Sequence, residues 1–203
     1  MRRFSRALLY GVIVAVSGVA LSLLPGLIAL EEAVGLKILF KLRGPMPQPP
    51  SAVVISLGRA SARELGLPID SRKWPRSAHA LLVETLHQMQ AKVIVFDMLF
   101  NEPQSDQEDE TFSRSIAMAG NVVLCELLET ESFTIDQNDD KSIERINIER
   151  VIPPVSPLAE SAVALAPFPL PKIPVQLSRY WAFKGSAEHL PTLPVIAINV
   201  FAL

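Results

Sequence analysis

One cysteine, Cys125, stands among 203 residues, so the chain cannot close an internal disulfide. That scarcity does not argue against export, because exported bacterial domains of ordinary size often stand without disulfides. The apolar run around Cys125 makes it a buried strand residue rather than a reactive thiol. Aromatic residues make up 6%, and none alternates with Lys and Arg as a base-stacking platform would require. Basic charge is not in excess either: 19 Lys and Arg face 21 Asp and Glu, a formal net charge of -2. No field for neutralising phosphates follows, and nucleic acid is set aside as a partner.

The catalytic signatures are missing too. His79, His87 and His189 are scattered and form no H-E-x-x-H pattern, so neither a metal nor any other cofactor is expected. Ser61 and Ser77 lack G-x-S-x-G surroundings, and there is no G-x-x-x-x-G-K-[ST] loop for a nucleotide. The acidic run Asp106 to Glu110 has no central glycine or alternate ligands of a calcium loop and reads as a solvated helix start. Asp97 with Glu102 or Asp106 could be imagined as a carboxylate pair, but the latter two lie in a polar loop with nothing to raise a pKa. No catalytic residue is assigned, and the chain is not expected to be an enzyme.

What the chain does have is an uncharged stretch. From Ala7 to Leu30, ALLYGVIVAVSGVALSLLPGLIAL, no side chain is charged. A helix of that length, at roughly 1.5 Å per residue, crosses about 30 Å of hydrocarbon. Arg2, Arg3 and Arg6 precede it and Glu31 and Glu32 follow, which places the N-terminus in the cytoplasm and everything downstream outside. A cleaved signal peptide shares the basic start, but its apolar core is usually shorter, about 7 to 15 residues. The expected partner of residues 7–30 is therefore the lipid bilayer of a bacterial cytoplasmic membrane, crossed once by an uncleaved helix.

Organisation follows from punctuation. Residues 1–6 form a basic cytoplasmic tail, 7–30 the transmembrane helix, 31–50 a juxtamembrane linker and 51–203 one extracytoplasmic domain. The linker ends in Gly44 to Ser51, GPMPQPPS, whose prolines cannot continue a helix. Val53, Val54, Ile55 and Leu57, ending at Gly58, suit a first buried strand. Ser77 can cap a helix with apolar positions Ala78, Leu81, Leu82, Leu86 and Met89. Lys92 to Asp97 reads as a second buried strand, and Glu108 to Ala119 as a helix stopped by Gly120. Asn121 to Cys125 reads as a third strand. Strand and helix alternating with short connections predict an α/β fold, a mostly parallel sheet flanked by helices.

Residues 129–150 turn polar and read as an exposed insertion, with a hairpin as one form it can take and Asp136 to Asp140 as its turn. Pro153 to Pro174 is proline-dense around the apolar stretch Leu158 to Ala166. Val175, Leu177, Trp181 and Phe183 alternate as an edge strand would. Leu193 to Leu203 is apolar over only half a membrane span and reads as a core helix or a truncated continuation.

Five segments, in this order, resemble the type-two CHASE domain, the cyclases/histidine kinases associated sensory extracellular domain. They are Phe40 to Pro45, Trp74-Pro75-Arg76-Ser77, Ala91 to Phe100, Gly120-Asn121-Val122-Val123, and Leu190 to Pro194. Three places depart from that pattern: Gly58 stands where an acidic residue is usual, the tryptophan-proline motif is shorter, and Gln90 stands where a glycine is usual. The resemblance implies an extracytoplasmic sensor whose relatives continue into further transmembrane helices and a cytoplasmic cyclase, kinase or diguanylate cyclase output. This chain stops before either, as a fragment or degenerate relative would, so it can receive a signal without catalysing the response.

In open parallel sheets ligands settle at the carboxyl ends of strands, here near Gly58, Asp97 and Glu126. The helix at Ser77 begins at that edge, which should bring Trp74 and Arg76 close to Asp97. As a site, Asp97 and Arg76 would grip a small polar signal against the wall of Trp74. As structure, the same arginine and aspartate would pin a helix to the sheet while Trp74 caps the core. The stimulus is a small molecule or a protein, and a sensor of this kind can work as a homodimer whose packing changes. The competing reading is an anchored interaction module of the cell envelope with no small-molecule ligand, docking through 129–150.

Overall fold

The computed structural model describes residues 2–22, 25–47, 51–135, 144–170, 180–184 and 190–203. The expected turn at Asp136–Asp140, together with Val175, Leu177 and His189, lies outside the described residues. The chain divides into two compact units, Met1–Val54 and Ile55–Leu203.

Among the described residues of the first unit, helix runs over α1 (Arg2–Ser22) and α2 (Pro25–Arg43). The expected helix over 7–30 includes residues 23 and 24, which lie outside the described residues. Glu31 and Glu32 fall within α2. Among the described residues no helix is long and apolar enough to cross a membrane. Lys41 and Arg43 occupy the last turn of α2, where cations complement the exposed carbonyls. Gly44, at φ +70°, ends it by returning its N–H to Phe40 O at 3.1 Å.

The expected first strand is also corrected. Residues 52–57 join no strand ladder among the described residues, and Val54 is 91% exposed. β-branched residues favour extended backbone, but a strand exists only where a neighbouring strand answers its N–H and C=O groups. From Gly58 the chain enters a short helix, α3 (Arg59–Leu65), closed by Gly66 at φ +66°.

The second unit is built on a parallel sheet. Strand β1 (Ile94–Leu99) pairs parallel with β2 (Val122–Ile135), Ile94 opposite Val122 and Phe96 opposite Leu124. On its other side β2 pairs parallel with β4 (Ala164–Pro167), Val123 opposite Ala164 and Glu126 opposite Pro167. The sheet is flanked by helices, as expected of an α/β fold. Alternation along β2 sends Val122 and Leu124 to one face and Val123 and Cys125 to the other, and all four are buried.

The first face is covered by α4 (Arg76–Gln88) and α5 (Asp106–Ala119), with α6 (Ser156–Ser161) beside α5. Ala80 and Val83 of α4, Phe112 and Ile116 of α5 and Leu158 of α6 close over Ile94, Phe96, Val122 and Leu124. The second face is covered by α7 (Leu193–Ala202), whose Leu193 joins Val123, Cys125 and Ala166. The C-terminal stretch is thus a helix that packs on the sheet through Leu193, Ile196 and Val200, while Ile198 and Phe201 are exposed.

Past Glu126, β2 leaves the parallel sheet and pairs antiparallel with β3 (Glu144–Ile152), from Leu127 opposite Ile152 to Ile135 opposite Glu144. The polar insertion takes the hairpin form. A small antiparallel pair, β5 (Phe183–Lys184) and β6 (Leu190–Pro191), is tied to it by Lys184 Nζ and Glu149 Oε1 at 3.0 Å.

Candidate functional site

Residues 74–79 enter α4 through a dense set of hydrogen bonds. Pro75, with φ -61° and ψ 145°, sets the approach of the chain but offers no side-chain cap. The first amides of α4 are answered from the β1–α5 loop and from α5. Arg76 N–H donates to Gln104 Oε1 at 3.3 Å, and Ser77 N–H donates to Glu108 Oε2 at 2.7 Å. Ser77 therefore does not cap its own helix; its hydroxyl also donates to Glu108 Oε1 at 3.2 Å. A carboxylate borrowed from a neighbouring helix does the work usually done by an N-cap side chain.

Arg76 is committed within the protein. Its Nε donates to Asp109 Oδ1 at 3.0 Å and its Nη2 to the carbonyl of Glu102 at 2.7 Å, while the guanidinium lies 4.8 Å from the centre of the Phe100 ring. Asp109 Oδ2 accepts the N–H of Gln104 at 2.9 Å. Trp74 is buried; its indole N–H donates to Pro68 O and its own carbonyl accepts Gln104 Nε2 at 2.9 Å. Together these contacts lock the segment before α4 to the loop after β1.

Asp97 lies elsewhere. Phe96 faces the α4 and α5 side, so the next residue along the strand faces the α7 side, and Asp97 is exposed there. The expected meeting of Asp97 with Trp74 and Arg76 does not form; the carboxylate that Arg76 meets is Asp109. Asp97 instead sends its negative charge toward Cys125 on β2. Burial first, and then that charge, push the Cys125 thiol up to about 11. Burial likewise raises the carboxyl of Glu126 above its usual range. The strand ends thus hold an exposed carboxylate, a half-buried one and a neutral thiol, a set suited to contacting a polar or cationic group and not to nucleophilic attack.

Sequence reasoning read Asp109 and Glu108 as solvated. The one local signal was Ser105-x-x-Glu108, a capping-box spacing; Ser105 Oγ does accept the Glu108 N–H at 3.3 Å, but the Glu108 carboxylate reaches across to Ser77. Among the described residues no group of His, Cys, Asp and Glu could hold a metal ion.

The structure also explains one departure from the resembled pattern. Gln90 sits at φ +61°, the left-handed region where a glycine costs nothing. It closes α4 in a Schellman arrangement, with Ala91 N–H returning to Leu86 O at 3.0 Å and Gln90 N–H to His87 O at 2.9 Å.

No curated protein and no solved structure matches the chain. The CHASE2 domain model matches residues 12–188. CHASE2 domains are extracellular sensory domains of signalling proteins, not catalytic ones. With most of its length matched, the chain belongs to the CHASE2 domain family.

Proposed function

We propose that this chain is the extracytoplasmic sensory input of a bacterial membrane signalling protein, handing an external stimulus to a cytoplasmic cyclase, kinase or diguanylate cyclase output. Family membership over residues 12–188 is the observation that carries the reading. Attachment to the cytoplasmic membrane through residues 7–30, N-terminus inside, is supported by the charge-free run, by the arginines before it, and by the exposed apolar side chains of α1, among them Tyr10, Val14 and Val16. A stimulus acts by binding two arrangements of the domain with different affinity, including two arrangements of a homodimer.

Of the three residues first considered, Asp97 is the one exposed at a strand end, so it is assigned ligand contact. Trp74 and Arg76, both buried, are assigned to positioning the segment and loop around them. A second reading, an envelope interaction module, draws on the β2–β3 ribbon, which carries exposed Glu129, Glu131, Ile148 and Arg150 beyond the parallel sheet.

The test uses the full chain in lipid nanodiscs, with thermal stability followed across a panel of small metabolites and osmolytes. A ligand at about a hundred times its Kd adds roughly 2.7 kcal/mol. A shift lost in Asp97→Asn supports the sensor with its site at the strand ends. A folded chain that ignores every small molecule but retains a partner from envelope extract, lost when the ribbon charges are neutralised, supports the second reading.

A further inference from the structure

His79 is the buried titratable group that the site above does not use. It lies on the inner face of α4 and is 1% exposed. Four aromatic side chains surround it. Trp74 stacks on it at 6.1 Å and 20°, and the rings of Phe100, Phe112 and Phe96 stand 5.3, 5.8 and 6.1 Å away. Its Nε2 is buried and has no hydrogen-bond partner.

An imidazole with an unanswered ring nitrogen is at home only as the neutral form, in which that nitrogen can be the one without a proton. A second proton would create a buried cation and a donor with nothing to receive it. Aromatic faces attract a cation, but that attraction is smaller than the desolvation they impose.

The charged groups around the cage do not help. On α4 itself Arg76 lies one turn earlier and adds positive charge. From α5, Asp109 is engaged by Arg76 and by Gln104 N–H. The loop after β1 presents the Glu102 carbonyl, already taken by Arg76 Nη2. Strand β1 contributes Phe96 with Asp97 on its opposite face, and β2 contributes only Val122 and Leu124. Burial first and then the Arg76 charge accordingly push His79 down to about 4.

We infer that this aromatic cage is an acid-sensitive latch: protonation of His79 drives the ring toward water, parts it from Trp74, and loosens the segment and loop that Trp74 and Gln104 hold together. A proton is then a stimulus the chain can read. The inference rests on the sensory reading for its signalling meaning, whereas the acid response belongs to the fold alone.

The test is a pH titration from 8 to 4 on the full chain in nanodiscs, with Trp181→Phe so that Trp74 reports alone. We expect its emission to move to the red below about pH 6.5 as unfolded-like histidine becomes protonated, and His79→Phe to lower that midpoint by about one pH unit or abolish it. The same midpoint in both proteins, or no change in the parent protein down to pH 4, overturns the inference. Should His79→Phe fail to fold, the ring signals of His79 in the parent protein decide by NMR. Protonation coincident with the Trp74 transition supports the latch; titration near pH 6.5 with Trp74 undisturbed overturns it. Ligand-induced thermal shifts at pH 7.5, where His79 is neutral, are read separately. If they persist without an acid transition, only the latch fails; an acid transition without them removes only the small-molecule reading.

Discussion

Arg76 and Asp109 meet across the α4–α5 junction at 3.0 Å, with both side chains more than nine-tenths buried. A buried pair adds little net stability over an apolar substitute, but stranding one charge is costly. Asp109→Ala is therefore expected to lower stability by about 3–5 kcal/mol, through the unanswered guanidinium. Asp97→Asn, at an exposed position, should change it by less than about 0.5 kcal/mol. Urea unfolding followed by circular dichroism separates the two. Equal effects would show that Arg76 depends on Asp97 after all.

Gln90 bears a side chain where the backbone is left-handed. Such a conformation costs a non-glycine residue about 1–2 kcal/mol, part of which glycine returns through its more mobile unfolded chain. Gln90→Gly should stabilise the protein by about 0.5–1 kcal/mol, and Gln90→Val should destabilise it. A fall in melting temperature for the glycine variant would refute this account of the α4 terminus.

Cys125 is buried and its thiol is pushed up to about 11 by burial and by the Asp97 charge. At pH 8 it is almost wholly the unreactive thiol. Alkylation by iodoacetamide should then proceed only as fast as the domain opens, and should accelerate sharply in denaturant. Labelling of the native protein at the rate of a free thiol would contradict the burial.

Two groups give the stability opposite slopes in pH. His79 is depressed to about 4 by burial and by Arg76. Above about pH 6.5 it is neutral folded or unfolded and exerts no penalty; below that the unfolded chain takes up the proton first, so stability falls as pH drops toward 4, by up to about 3 kcal/mol. Glu126 is raised by burial, so its ionised form is disfavoured in the fold and its contribution improves as pH falls. Glu126→Gln should raise the melting temperature at pH 7, with the gain vanishing at low pH. His79→Phe should flatten the curve between pH 6.5 and 4. Unchanged curves in these variants would assign the acid response to other groups.

The sequence by itself determined β1, α5 and the buried start of β2, because their signals are local. A β-branched apolar run marks the buried strands, Ser105 caps α5 with its acidic first turn, and Gly120 stops it at φ +68°. It misjudged α4, whose expected face included Leu81 and Met89; both are exposed, and the inner face carries Arg76 and His79 with Ala80 and Val83. Hydrophobic periodicity cannot register a buried arginine or histidine, since each is tolerated inside only because of what another part of the chain brings to it. Val53 to Leu57 has the composition of a strand, yet pairing needs an edge that residue type alone does not supply.

The tertiary structure decided which carboxylate Arg76 meets. Asp97 and Asp109 are equally plausible by charge. Strand alternation turns Asp97 to the α7 side of the sheet, whereas the packing of α5 beside α4 carries Asp109 to the guanidinium. Local preference sets elements one at a time, but a contact 33 residues apart exists only once two helices share one face of a sheet.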